Sequence, residues 1–378
     1  MKILLVGDYP DDPHLGSAKV FHKLREEFRG LGHTCDVLFS ENMGIRPTNR
    51  HLRQALSPVL AARAIAKAFR QGGPYDVVDI ASAEGFIFGT QRRLGKYKNT
   101  AFISRSNGLE HLNYQRLLDD HIAGLLHKPW TRRLWFPAVR LTQVAGAARL
   151  ADRLLLLNDT DCAFALRRKW KTKDDIDVVS HAVSGRFLDQ APPSDSPRGG
   201  GILFCGTWDG VKGIRYLACA FSLLIASGTK VNLTVLGGGV PNETILSAFA
   251  APAQRYVTVL ARASEDEVMR QYRKHDLLVF CSTYEGFGMV LPEAMSQRLP
   301  VVATLVGSAA TLVRDGETGI VVPLRNSEAL ASAIRNLAED PALRRHLADN
   351  AFQLVREMTW ENSALKTLTV YVRAQEAK

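Results

Sequence analysis

The sequence has few of the features that would tie it to metals, disulfides or membranes. Its five cysteines (Cys35, Cys162, Cys205, Cys219 and Cys281) are an odd number, lie far apart and form no C-x-x-C pair. Reduced, mostly core-like thiols are therefore expected rather than a disulfide framework. The ten histidines show neither H-x-x-x-H nor H-E-x-x-H spacing, which disfavours a zinc site. Apolar runs such as Leu154–Leu157 fall far short of the roughly 18 residues that would span a bilayer. The opening Met1-Lys2-Ile3-Leu4-Leu5-Val6-Gly7-Asp8 is too short an apolar stretch for a signal peptide, so a cytoplasmic location is expected. No G-x-G-x-x-G follows the first strand, no nucleophile elbow occurs, and no nucleic-acid module is present. Nicotinamide chemistry, serine hydrolysis and nucleic-acid binding are thereby disfavoured.

What is present is an ordinary globular composition: 378 residues, 46% hydrophobic and 23% charged. That length suits two domains, each large enough to bury its own core. The net charge of +10 is lopsided. Residues 1–190 carry 29 Lys+Arg against 20 Asp+Glu, a balance of +9, while residues 191–378 carry 19 against 18. The first half thus favours an anionic partner or simply presents a solvated basic surface.

Apolar β-rich runs alternate with amphipathic stretches throughout. In the first half strands are expected at Lys2–Val6, Cys35–Phe39, Asp76–Ile80, Thr100–Ser104, Arg153–Leu157 and Ile176–Val179, with helices such as Ser17–Gly30 and His51–Gln71 between. Residues 190–201 (QAPPSDSPRGGG) have linker composition. The alternation then restarts with Ile202–Cys205, Val231–Leu236, Tyr256–Leu260, Leu277–Cys281, Val301–Thr304 and Ile320–Val322. The pattern predicts an α/β chain of two doubly wound, Rossmann-like domains: 1–189, a linker at 190–201, and 202–358. In such sheets ligands sit beyond the carboxyl ends of the strands.

The sharpest constellation is Ser282-Thr283-Tyr284-Glu285-Gly286-Phe287-Gly288-Met289-Val290-Leu291-Pro292-Glu293. Glu285 falls in a strand-to-helix loop, the glycines allow close backbone approach, and a helix start offers free amides to an anion. Two carboxylates eight residues apart around such a loop suit a ligand with hydroxyls on both sides of a phosphate, as in a nucleotide sugar.

This stretch resembles the E-x7-E motif of the retaining glycosyltransferases of family 4, which have the GT-B fold. Further segments resemble that family in order and spacing: Gly206-Thr207-Trp208-Asp209-Gly210-Val211-Lys212-Gly213, Thr234–Gly239, Val301–Gly307, Asp315–Val322, and Gly16 and Gly32-His33 in the first half. The resemblance covers nearly the whole chain. It implies two domains facing across a cleft, the second binding the donor and the first the acceptor. A last helix within 359–378 would cross back onto the first domain. It also implies roles. Glu285 would bond hydroxyls of the transferred sugar and Glu293 the ribose. Lys212 would neutralise the diphosphate, helped by amides of Gly286, Phe287, Gly288, Met289 and Val290 and near Gly16. Ala263 would meet the base through its main chain. Asn107 stands where the family has a His beside the reacting carbon, and Thr207 where it has an Arg, leaving Lys212 or a cation such as Arg262 to meet the diphosphate.

The activity so implied is retaining, metal-independent transfer of a hexose-like sugar from a UDP- or GDP-type donor to an acceptor hydroxyl of a glycan, lipid or small molecule. No cofactor is expected beyond the donor itself. The departures at Thr207 and Asn107 keep a second reading open, a catalytically impaired protein that binds a nucleotide sugar or a partner. A nucleotide-sugar epimerase is a weaker third. Asp159-Thr160-Asp161 and Asp175-Ile176-Asp177 satisfy D-x-D, but they read as a helix cap and a strand start rather than a metal site. Residues 127–137 (HKPWTRRLWFP) interleave aromatics with cations. They suit peripheral contact with an anionic membrane, at the inner face of the cell membrane, or a packed loop with solvated arginines.

Overall fold

The computed structural model describes residues 1–13, 16–44, 48–125, 130–261 and 263–377. The chain divides into two compact units, Met1–His181 with Trp360–Lys378, and Ala182–Thr359.

The first unit holds a six-stranded sheet: β1 (Lys2–Val6), β2 (Thr34–Leu38), β3 (Val77–Ala81), β4 (Ala101–Arg105), β5 (Arg153–Leu156) and β6 (Ile176–Val178). Their order is β2-β1-β3-β4-β5-β6, every pair parallel. The sheet of the second unit comprises β7 (Ile202–Cys205), β8 (Leu233–Leu236), β9 (Val257–Leu260), β10 (Leu277–Phe280), β11 (Val301–Ala303) and β12 (Ile320–Val321). It runs β12-β11-β10-β7-β8-β9 and is also parallel throughout. All twelve strands lie within one or two residues of the positions expected from sequence.

Continuous apolar runs become strands here because helices cover both faces of each sheet. In the second unit Ile202, Phe204, Leu277 and Val279 enter one core cluster, while Leu203, Leu278, Phe280 and Val301 enter the other. Alternate residues of one strand thus feed opposite cores. Each sheet also reverses its winding once. In the first, the chain steps from β1 to β2 and returns to β3 on the other side of β1. In the second, it steps β7-β8-β9 and returns to β10 on the other side of β7. Those reversals open crevices beyond β1/β3 and β7/β10, the places where such sheets hold ligands.

The helix Trp360–Glu376 belongs to the first unit. Its Tyr371 hydroxyl donates to Asp79 on β3 at 2.6 Å, and Arg105 of β4 chelates the same carboxylate through Nε and Nη2. Residues 190–201 lie inside the second unit, and the chain passes between units at His181/Ala182 and Thr359/Trp360. Of the 127–137 segment, 127–129 lie outside the described residues, as does Arg262; Trp130–Phe136 is a short helix.

Candidate functional site

The loops after β7 and β10 are stitched together at the second reversal. Gly213, with φ 73°, caps the helix Ile214–Ala226 and packs directly on the Cys281 carbonyl; a Cβ there would lie 1.9 Å from that oxygen. Only glycine fits both the left-handed backbone and the close approach. Thr283 N–H donates to the Val211 carbonyl at 2.8 Å, closing the same seam. These contacts hold Lys212 beside Glu285: Nζ and Oε1 are 2.5 Å apart, and Ser282 Oγ donates to the same Oε1 at 2.8 Å. The Glu285 side chain is 10% exposed and that of Lys212 27%, so the pair is sheltered but open to an incoming ligand on the lysine side.

Gly288, φ 82°, lies against the Phe280 ring, and Gly307 lies against the Phe287 carbonyl and Glu285 Cβ. Phe287 is a core side chain, 5% exposed, so only its main chain can face a ligand. The helix Val290–Ser296 then carries Glu293, whose Oε2 accepts from the Tyr272 hydroxyl at 3.4 Å. Tyr272 is fully buried and also reaches Cys205 Sγ at the end of β7, at 3.8 Å. Burial, then the neighbouring Cys205 and Glu293, holds its phenol well above the ordinary value, so it stays a donor to Glu293. Thr207 is exposed in the loop after β7, and Ala263 follows β9 half-buried.

The structure therefore gathers Lys212, Glu285, Gly286, Phe287, Gly288, Met289, Val290 and Glu293 around the β7/β10 reversal. Thr207 and Ala263 lie in the loops that follow β7 and β9. Gly16 and Asn107 belong to the first unit. Gly16 opens the helix Gly16–Gly30, where a Cβ would meet nothing within 4 Å. Asn107 lines a pocket of about 400 Å³ beyond the β1/β3 reversal, with Tyr9, Ser82, Glu84, Glu110 and Arg140 among its walls.

That pocket contains groups that the motifs and their spacing did not single out. Arg140 bridges Glu84 (Nη1–Oε1 2.8 Å) and Glu110 (Nη2–Oε1 2.9 Å), with Ser57 Oγ at 3.0 Å from Nη1. Burial pulls the guanidinium down, but the two carboxylates outweigh it and hold it well above its ordinary value, so it stays charged. Ser82 has φ 52°, a strained setting for a non-glycine residue, and its hydroxyl donates to Glu110 at 2.8 Å. The Tyr9 hydroxyl and Asn107 Oδ1 are buried without a hydrogen-bond partner among the described residues. Glu84 and Glu110 both follow carboxyl ends of strands, which is the signal that could have marked them.

Among the described residues, no three His, Cys, Asp or Glu side chains come together as a metal site. Neither D-x-D segment offers two open carboxylates. Asn158, not Asp159, caps the helix Asp159–Arg167 by accepting from Asp161 N–H at 2.8 Å, and Asp177 is held by Arg153 at 2.6 Å. No helix among the described residues is long and apolar enough to cross a membrane.

Two parallel six-stranded sheets, each flanked by helices, with ligand crevices at their winding reversals, define the GT-B fold. Comparison with solved structures agrees. Sucrose-phosphate synthase from Thermosynechococcus elongatus superposes with a TM-score of 0.80 at 21% identity, covering 100% of both chains. Anabaena Alr3699/HepE, in complex with UDP and glucose, superposes with a TM-score of 0.68 at 16% identity over 99% of this chain and 100% of its own. Residues 197–354, within the second unit, match the family model described as "Glycosyl transferases group 1". By sequence the chain is 37% identical over 265 residues to a D-inositol 3-phosphate glycosyltransferase of Nocardioides sp. (strain ATCC BAA-499 / JS614), covering 63% of this chain and 57% of that protein. The chain spans about half the length of the relatives it matches in this way.

Proposed function

We propose that the protein is a retaining, family-4-type glycosyltransferase that moves a sugar from a UDP- or GDP-type donor to an acceptor hydroxyl. The observation that carries this reading is the Lys212–Glu285 pair at the β7/β10 reversal, inside the segment that matches the group 1 model. An ammonium already fixed at the mouth of a glycine-rich loop can turn to an incoming diphosphate. Glu285, relieved of its partner, then accepts hydroxyls of the sugar. Glu293, held by Tyr272, is placed for a ribose diol. As the donor bond breaks, negative charge grows on the leaving diphosphate, and stabilising that charge is the main way such a site lowers the barrier. In this reading the charge falls to Lys212 and to main-chain amides around Phe287–Val290. The acceptor would occupy the first-unit pocket, where the unpartnered Tyr9 hydroxyl and Asn107 Oδ1 offer hydrogen bonds. The relative's name points to a phosphorylated polyol, and glycan, lipid and small-molecule acceptors fit the same chemistry.

A second reading, nucleotide-sugar binding without turnover, is favoured by one observation. Lys212 is already neutralised by Glu285, and Thr207 supplies no charge beside it.

Thermal shift with UDP, GDP, ADP and CMP tests the donor site. A nucleotide at about 100 times its dissociation constant stabilises by roughly 2.7 kcal/mol. One nucleoside diphosphate is expected to stabilise the wild type. Lys212→Ala should weaken it about 10- to 100-fold, the worth of a charged hydrogen bond, and Glu293→Ala should also reduce the shift. No response to any of the four would sink the donor assignment. A response with no glycosyl transfer would select the binding-only reading.

A further inference from the structure

The first unit has a second cavity, of about 440 Å³, among the helices Glu110–Ile122, Thr142–Leu150 and Asp159–Arg167. Its character differs from that of the pocket beyond β1/β3. Phe164 (3% exposed) and Trp170 (4%) form an aromatic wall, with rings 5.6 Å apart in an edge-to-face contact, and Leu118 and Leu141 extend it. The Tyr114 hydroxyl, which could have made the wall polar, is spent on the Arg133 carbonyl at 2.8 Å. A sugar would find few hydrogen-bond partners on such a surface, whereas a hydrocarbon chain needs none.

The charged groups of the lining are both basic, beside the neutral polar side chains of Gln115 and Thr142. Arg149 and Arg168 both face the cavity, both are exposed, and neither is in an ion pair among the described residues. No Asp or Glu is among the described lining residues. His111 packs on the aromatic wall, its ring 4.7 Å from that of Trp170 and 5.7 Å from that of Phe164. Its Nδ1 is buried without a hydrogen-bond partner among the described residues. Burial, then the charges of Arg168 and Arg149, lowers its imidazole to about 4. Two guanidinium groups with no carboxylate partner among the described residues thus line one largely apolar cavity, Arg168 lying over the Phe164 ring at 5.5 Å, and an anionic ligand would neutralise them.

The apolar side has a continuation. His111, Gln115, Leu118 and Ile122 recur at helical spacing on one face of Glu110–Ile122, and Ile122 at its end is 83% exposed. A chain lying along this face would leave the cavity over Ile122.

We propose that this cavity binds an anionic single-chain amphiphile, with its head on Arg149 and Arg168 and its hydrocarbon on Phe164, Trp170 and Leu118. A fatty carboxylate is the simplest member of that class. Such binding does not depend on the donor site, because it uses a different cavity and is read without glycosyl transfer.

The probe is a brominated stearate titrated into the full-length protein, followed by tryptophan fluorescence, since bromine quenches an indole only on near contact. Saturable quenching is expected, and Trp170→Phe should remove it while leaving the ring in the wall. Arg149→Gln with Arg168→Gln, both on exposed side chains, should weaken binding about tenfold or more, as expected for loss of charge-assisted hydrogen bonds. The methyl ester of the same acid should bind at least about tenfold more weakly to the wild type. That comparison stands even if a variant fails to fold. Equal binding of acid and ester would overturn the proposal, as would quenching that survives Trp170→Phe. Displacement of the probe by inorganic phosphate alone would show a free-anion site and overturn it too.

Discussion

Asp161 sits in the first turn of the helix Asp159–Arg167, 1% exposed, with Oδ2 lacking a partner among the described residues. Burial pushes its carboxyl up to about 7, against a smaller downward pull from the Leu109 main chain and Asn158. Between about pH 4, where an unfolded Asp titrates, and pH 7, the unfolded chain releases this proton and the folded chain keeps it. The stability contribution present at the acid end is therefore lost as pH rises, and the loss is complete above about pH 7. It amounts to roughly 4 kcal/mol at most, at 1.36 kcal/mol per pKa unit. Asp161→Asn should remove this slope: measured by melting temperature from pH 4 to 8, the variant gains on the wild type up to pH 7 and then runs parallel. Curves parallel across the whole range would refute the assignment. Single residues of this kind were hard to read from sequence. Asp161 appeared there only as half of a D-x-D, because nothing in the spacing shows that a carboxylate lies under a helix.

At the scale of elements, the seam between the loops after β7 and β10 is the feature on which the second unit's site rests. Gly213→Ala would place a Cβ 1.9 Å from the Cys281 carbonyl, at a φ of 73° that side chains resist. The contact is with main chain, so no rotamer change relieves it and the loop must move. A loss of about 2 kcal/mol or more is expected by chemical denaturation. Weakened nucleoside diphosphate binding should accompany it, because Lys212 and Glu285 would part. A variant as stable as the wild type would show that the seam is not rigid.

The strands themselves were legible to within two residues. Parallel strands buried on both faces are continuous apolar runs, and turn residues bound them. What the pattern did not reveal were pairings across sequence. Lys212 and Glu285 are 73 positions apart, and Arg140 is 56 from Glu84. The 190–201 stretch shows the same limit. Its composition suggested a linker, yet Arg198 within it donates to the carbonyls of Tyr272, Arg273, His275, Gln297 and Arg298. One guanidinium thereby caps two helix ends and ties the stretch to its unit, a role that composition cannot show.

At the scale of the whole molecule, the first unit is discontinuous: residues 1–181 need a helix that the chain supplies only after completing the second unit. Trp360, Leu368, Val370 and Tyr371 of that helix are buried, and Tyr371 packs on Phe28 with ring centroids 5.7 Å apart. Four large side chains at about 2 kcal/mol each contribute on the order of 8 kcal/mol. That rivals the roughly 5–15 kcal/mol net stability typical of a domain. Removing the helix also takes the Tyr371 hydroxyl from Asp79, which is fully buried against Arg105. A fragment of residues 1–181 should therefore lack a cooperative melt by circular dichroism and regain one when a peptide of residues 359–378 is added in excess. The fragment 182–359 carries both of its own core layers and its Arg198 clasp, so it should melt cooperatively alone. Were 1–181 to melt as sharply and as high as the intact chain, the helix would be an accessory, and the first sheet would hold Asp79 and Arg105 together unaided.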